Sequence, residues 1–437
     1  VYKRQTNTED KKRASKYIES ILLMLRTKVL LNNGDLSKTE IVWFYPASMT
    51  QNRFNKFKAE WENTFATLFG APISNIIAAS ESVAPYYYHK AKKGATSTVV
   101  SVDIGGGTTD VLIVDKGEPK YLTSFRFAAN TIFGDGYSYD SDSNGFVNKY
   151  KDIITNQLET NNLRGLKAVL KSVLDKRVST DVIAFLFSLA SNKEIKKEKV
   201  EINFAKMLAD DNRGKYVVIL FYVAIVYHIA KLMKAKGFDM PRHMTFSGNG
   251  SKVLNILSTN DATLVRLTKL IFEEIYAQSY SIDGLDIIRP ANSKESTCKG
   301  GIILTPFQSQ DYGEIKDMKT ILIGTDNEKF ADVHMTYNDV TEADLDSVVD
   351  VIKEYIEFTF KLDKKFSFYD NFDVDRSIMN KVKDLCYRDI RTYLENGLAI
   401  KKSEIAQDGA DDNLEETLFF YPLVGIINAV VRNIYQM

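Results

Sequence analysis

Residues 99–115, VVSVDIGGGTTDVLIVD, set three glycines between two apolar, β-branched runs. Glycine-rich loops after a strand cradle phosphate in several folds, but the dinucleotide and P-loop types run directly into a helix. Here VLIVD follows, too β-branched and too short for that helix. The pattern predicts a β-hairpin whose tight turn directs backbone N–H groups at an anion, glycine permitting positive φ and close approach. Thr108 and Thr109 add hydroxyl donors, and Asp103, at the end of its strand, suits a hydrated magnesium ion beside phosphates. The same residues suit an ordinary glycine-rich hairpin, so the rest of the chain has to decide.

With 437 residues and 44% apolar side chains, the chain has length for two or three domains and a substantial core. Fifty-seven basic residues balance fifty-seven acidic ones, which leaves no global field for nucleic acid or an anionic membrane. Cys298 and Cys386 stand far apart without histidine clusters. That argues against a disulfide framework and a zinc site, and points to a reducing cytoplasm. VYKRQTNTEDKKR has no apolar signal core, and because the sequence starts at Val1 the true N-terminus is expected upstream. Tyr216–Ala230 is almost unbroken apolar, but it is shorter than the ~20 residues of a membrane span and contains His228. A buried helix is expected there, with a membrane-associated helix as the alternative, and no integral membrane segment.

Helical spacing recurs over 10–32, closed by Asn33 and Gly34, and again from Phe54 to Leu68, closed by Gly70 and Pro72. IVWFYP and the run from Asn75 to Ala79 read as short strands, and ESVAPYYYHK as a helix with Glu81 in its first turn. His89 is expected at that helix's end, outside the chemistry. Residues 140–214 read as polar and mainly helical, KEIKKEKVE being a solvated helix face. HMTFSG reads as a strand, Thr263–Ser279 as an amphipathic helix and STCKGGIILTP as the start of a short element. MKTILIGT suggests a strand, and three long helical patterns follow it.

Two further features bear on chemistry. A carboxylate at a strand-to-helix junction, as Glu81 is, can orient water toward a terminal phosphate; it can equally compensate a helix dipole. FSGNGSK, 246–252, is a second glycine turn after a strand, suited to lie against a nucleotide's sugar and base or to serve as a plain turn. DSDSNG, 140–145, opens like a calcium loop, with Asp140, Asp142 and Asn144 at alternate positions. Its twelfth position is Lys151, so an acidic surface loop is expected instead.

In order and spacing these pieces resemble the ATPase core shared by actins, sugar kinases and the large heat-shock chaperones, over roughly residues 38–305. DIGGGTTDVLIV resembles that superfamily's second phosphate motif, and IVWFYPASMTQNRF…IIAASESVAPYYY the segment before it. MTFSGNGSKVL resembles its adenosine motif, and FGDGY, with Gly134 and Gly136, a glycine turn of the chaperone branch. The resemblance implies an α/β actin-like (ribonuclease H-like) ATPase fold. It would comprise a truncated lobe one over 1–97, a complete lobe two over 98–304 with a helical insertion at about 140–214, and a mainly helical region over 305–437.

The resemblance also implies roles. Asp103 would organise Mg2+ through water, with Asp110 as a further partner near the metal, and Gly105, Gly106, Gly107, Thr108 and Thr109 would hold the β- and γ-phosphates of ATP. Glu81 would position the attacking water, and Gly248, Asn249, Gly250 and Ser251 would line the adenosine pocket. The implied activity is a bacterial-type, Mg-dependent, ATP-hydrolysing switch, ATP and ADP its ligands, with a protein partner or self-assembly. The alternatives are a nucleotide-binding scaffold or filament subunit, or a small-molecule kinase. The family's first phosphate motif is not in this sequence, nor is the chaperones' β-rich substrate domain, so the chain is expected to be a fragment of a larger protein or to lack half of the site.

Overall fold

The structure is a computed structural model. It describes residues 8–46, 49, 51–93, 98–137, 141–281, 284–290, 293–303, 335–408, 414 and 416–435. The fold is mixed α/β. MKTILIGT and Asp140 of the calcium-like loop lie outside the described residues.

The chain begins with α1 (Thr8–Leu31), β1 (Ile41–Tyr45), α2 (Gln51–Phe69), β2 (Ile76–Ser80) and α3 (Ala84–Lys93). Strands β1 and β2 pair in parallel, Trp43 opposite Ala78, and form a two-stranded sheet. Its core is aromatic: the Trp43 and Trp61 rings stack 5.5 Å apart, with Phe57, Phe65 and the buried α1 residues Ile18 and Leu22 around them. Glu81 lies in a turn before α3 rather than in its first helical turn. The helix starts at Ala84, where Pro85 occupies an early position whose N–H would have no helical acceptor.

The second sheet is built from β3 (Val99–Ile104), β4 (Thr109–Asp115), β5 (Glu118–Phe125), β6 (His243–Ser247) and β7 (Asp286–Ile288) in the order β5-β4-β3-β6-β7. β3, β4 and β5 form an antiparallel meander, and β6 and β7 add in parallel. Alternation along the strands splits them between two faces. Val100, Val102, Ile104, Val111 and Ile113 enter the main core, while Val99, Leu112, Val114 and Leu122 meet Val83, Ala84, Tyr86 and Tyr87 of the α3 segment. Covering on both faces explains why the middle of β4, Val111–Val114, is apolar on both sides. Tyr86 Oη and Lys90 Nζ both donate to the carbonyl of Gly117 in the β4–β5 turn, which fastens α3 across the sheet.

Between β5 and β6 lie α4 (Ala129–Phe133), α5 (Gly145–Thr160), α6 (Arg164–Asp175), α7 (Ser179–Ser188), α8 (Lys193–Lys197), α9 (Phe204–Ala209) and α10 (Lys215–Ala235). Asn144 of the calcium-like loop caps α5, accepting from Val147 N–H, and is fully buried. Among the described residues α10 alone is long and apolar enough to cross a membrane, and 94% of its most apolar window is buried inside the fold. It is the expected buried helix.

α11 (Leu254–Leu257) and α12 (Asp261–Tyr276) follow β6, and α13 (Ser293–Ile303) is the element begun by STCKGGIILTP. Gly300 packs on the Ala84 carbonyl of α3 so closely that a Cβ would overlap it. The last helices are α14 (Glu342–Phe366), α15 (Phe368–Phe372), α16 (Met379–Cys386), α17 (Ile390–Asp408) and α18 (Phe420–Ile434). Their buried residues share one contiguous core with β3, β4 and α10, so the expected boundary at 305 does not divide the core.

Candidate functional site

The β3–β4 connection is the hairpin that the second apolar run required. Ile104 pairs with Thr109, and Gly105 N–H donates to Thr108 O at 2.9 Å. Gly106 and Gly107 stand exposed at its tip, whereas Thr108 and Thr109 are buried. The Thr109 hydroxyl donates to Phe127 O at 2.6 Å, so it ties the hairpin to the chain after β5 instead of facing a ligand. α4 grips the other side: Ala129 and Asn130 N–H donate to Gly105 O and Gly106 O at 3.2 and 2.7 Å. Gly134 ends α4 one turn away and reaches the hairpin only through that helix.

The second glycine turn closes on the first. Gly248 has φ +81°, and a Cβ there would lie 2.3 Å from both Asp103 Oδ1 and Ile104 O. At Gly250 a Cβ would lie 2.2 Å from Gly105 O. Only glycine fits either position, because the obstacles are mostly backbone. Ser251 Oγ donates to Gly248 O and shapes the turn, while Asn249 is exposed beside it.

Asp103 and Asp110 are register partners across β3–β4 and therefore share a face, with Cβ atoms about 5 Å apart. Ser247 Oγ donates to Asp103 Oδ2 at 3.2 Å, and Asp110 is 2% exposed. On the same face lie Ser101, Ser124 and Thr245, with Ser82 in the turn before α3. These four hydroxyls are buried and, among the described residues, have no hydrogen-bond partner. Two opposed carboxylates beside hydroxyls are a hard oxygen donor set of the kind that a hydrated cation takes. Among the described residues no group of three or more His, Cys, Asp or Glu side chains assembles, so the metal chemistry open here is that of two carboxylates, water and phosphate.

Glu81 follows β2, its backbone N–H donating to Tyr45 O at 3.0 Å. Val83, two residues on, packs on the same sheet face that carries Asp103 and Asp110. Glu81 thus belongs to the intersheet side, on different elements from the two glycine turns. The His89 side chain lies outside the described residues.

A cleft of about 940 Å3 opens from Gly106, Asn130, Asn249 and Gly250. Its apolar wall is Phe133, Ile183, Phe187, Val253 and Ile256, and Lys206, Lys252 and Thr259 add polar groups. Phe187 is 37% exposed, with its ring edge-on to Phe133 and Phe204 at 5.5 and 4.8 Å. Sequence reasoning missed the share of α7 and α9 in this cleft. The available signal was the apolar excess of DVIAFLFSLA, which exceeds what one buried face requires.

Comparison with family profiles and with curated proteins returns no match. Among solved structures, the crystal structure of ethanolamine utilization protein EutJ from Carboxydothermus hydrogenoformans is similar at 12% identity and a TM-score of 0.31, covering 69% of this chain and 76% of that one. A likeness this slight carries no inference, and the site rests on its own geometry.

Proposed function

We propose that this chain is a nucleotide-binding switch domain of the actin-like and heat-shock-chaperone-like type, taking Mg·ATP between its two glycine turns. The observation that carries the reading is the closure of Gly248 and Gly250 onto the backbone of residues 104 and 105, which presents two glycine turns to one cleft. The strand order β5-β4-β3-β6-β7 sets the hairpin strand β3 beside β6, so the two glycine turns leave neighbouring parallel strands at the same sheet edge.

In this reading the exposed N–H groups around Gly106 and Gly107 and the Asn130 region receive phosphates, and the apolar cleft beyond Asn249 receives the base. Asp103, oriented by Ser247, and Asp110 would hold hydrated Mg2+, which when bound supplies charge neutralisation to the phosphates. Glu81 would position water from the intersheet side, the face that also carries Asp103 and Asp110. The proposed compartment is a reducing cytoplasm, Cys298 and Cys386 both being free thiols.

The test is Mg-dependent ATP binding and turnover by the chain, compared with Asp103→Asn and Glu81→Ala. The expected outcome is weak binding, because the sequence holds one phosphate hairpin where the family pairs two. Asp103→Asn should lose the magnesium dependence, and Glu81→Ala should keep binding while losing turnover. Unchanged turnover in Glu81→Ala removes that residue's role, and low-micromolar calorimetric affinity contradicts the half-site. A nucleotide-binding subunit that assembles is the second reading, favoured by the exposed row Tyr17, Met24 and Leu31 on α1. ATP-dependent sedimentation would support it.

A further inference from the structure

The C-terminal region reaches the phosphate hairpin through one short stretch, residues 125–136. Phe420, at the start of α18, stacks on Phe125 at 4.0 Å and on Phe127 at 4.7 Å. Glu416, 6% exposed, accepts from the Arg126 backbone N–H at 3.1 Å and pairs with Arg126 Nε at 3.4 Å. Asn428, in the middle of α18, donates through Nδ2 to Gly134 O at 3.3 Å. Its side chain also fills the space where Gly136, at φ +56°, would otherwise carry a Cβ.

The same stretch holds the hairpin. Phe127 O receives the Thr109 hydroxyl, and the first N–H groups of α4 end on Gly105 O and Gly106 O. Residues 125–136 therefore touch α18 on one side and the hairpin backbone on the other. A five-residue helix has too few internal hydrogen bonds to fix its own position, so its packing partners set it.

We propose that Glu416 and Asn428 are positioning residues for the glycine hairpin, which makes the C-terminal region part of the nucleotide site's machinery. The proposal rests on the reading of the hairpin as a phosphate site for its functional meaning, but its physical content is separate. Residues about 300 positions downstream fix where the Gly105 and Gly106 backbone stands, so anything that displaces α18 alters phosphate binding without touching the ligand.

The experiment is amide hydrogen exchange of the unliganded chain, with Asn428→Asp, Asn428→Gln and Glu416→Gln beside the parent. Asn428→Asp keeps the volume against Gly136 and removes the donor to Gly134 O; Asn428→Gln restores a donor. The expected result is exchange at least tenfold faster over residues 103–111 and 127–134 in Asn428→Asp, partial recovery in Asn428→Gln, and unchanged exchange over 41–80. Glu416→Gln should give a smaller acceleration, since its amide oxygen still accepts from Arg126 N–H.

Unchanged protection of 103–111 in Asn428→Asp overturns the proposal, as does uniform loss of protection across the chain, which would mark a general packing role. Mg·ATP titration then separates the two readings. Faster hairpin exchange with no nucleotide binding in any form, parent included, upholds the positioning and sinks the nucleotide site. Nucleotide binding with an unmoved hairpin does the reverse.

Discussion

His228 offers the most direct thermodynamic test of how the core is assembled. It is 2% exposed on α10, edge-on to Phe125 and Phe420 and stacked on Phe419 at 5.4 Å. Among the described residues its Nδ1 has no hydrogen-bond partner. Burial among these rings pushes its pKa down from 6.5 to about 3. The unfolded chain therefore takes up a proton below about pH 6.5 that the folded chain refuses until about pH 3. Stability from this residue is complete above pH 6.5 and falls by about 1.4 kcal/mol per pH unit below it, which is about 3 kcal/mol by pH 4.5. That is a large share of a typical folding free energy of ~5–15 kcal/mol. The assay is urea denaturation of parent, His228→Phe and His228→Leu at steps between pH 7.5 and about pH 4. Carboxylates titrate alike in all three, so the difference between parent and variant isolates this one residue. The variants should lie within about 1.5 kcal/mol of the parent at pH 7 and gain on it steadily below pH 6.5. A pH-independent difference would refute the reasoning, because it would mean that the imidazole is solvated or partnered when charged.

Two other perturbations follow from the same structure. Gly250→Ala should destabilise by about 1–3 kcal/mol, since its Cβ meets two backbone carbonyls, whereas Gly165→Ala, exposed in α6 with nothing within 4 Å, should stabilise by about 0.5–1 kcal/mol; chemical denaturation reads both. Tyr435→Phe removes a 2.5 Å hydrogen bond to the buried Asp211 carboxylate and should cost about 1.5–3 kcal/mol. Burial raises the Asp211 pKa, but bonds from Lys149 and Tyr435 outweigh it and hold the carboxyl below its ordinary 3.8. Its stabilisation is thus present above pH 3.8 and lost as the pH falls below that value, at the acid end of the range in which His228 acts.

The legible parts of the sequence were those whose partners are near in the chain. The hairpin at 99–115 announced itself because glycine, threonine and the β-branched run all act within seventeen residues, and α10 did so because an unbroken apolar helix has to be buried. Thr108 and Thr109 looked equivalent, since both sit beside the glycines; strand pairing separated them by giving the Thr109 hydroxyl to Phe127. The pattern ESVAPYYYHK draws Glu81 into the helix that it precedes, because the boundary depends on how Pro85 is accommodated. Phe187 and Lys206 were invisible as site residues because an amphipathic helix shows the same periodicity whether its apolar face meets a core or a cleft.

The C-terminal region marks the limit of that kind of reading. LFFYPLVGIINAVVRNIY declares that α18 is buried, but composition cannot say against what, and Asn428 meets Gly134 across 294 positions. Its polarity amid apolar neighbours was the one local hint, since a buried amide needs a partner that the helix itself does not supply. Asn428 is 9% exposed, and the acceptor it found is the carbonyl that ends α4, the helix holding the hairpin. Unlike the His228 ring, whose Nδ1 has no hydrogen-bond partner among the described residues, the Asn428 amide is matched to a distant carbonyl. In this chain Asn428 marks the short helix whose first N–H groups hold the glycine hairpin.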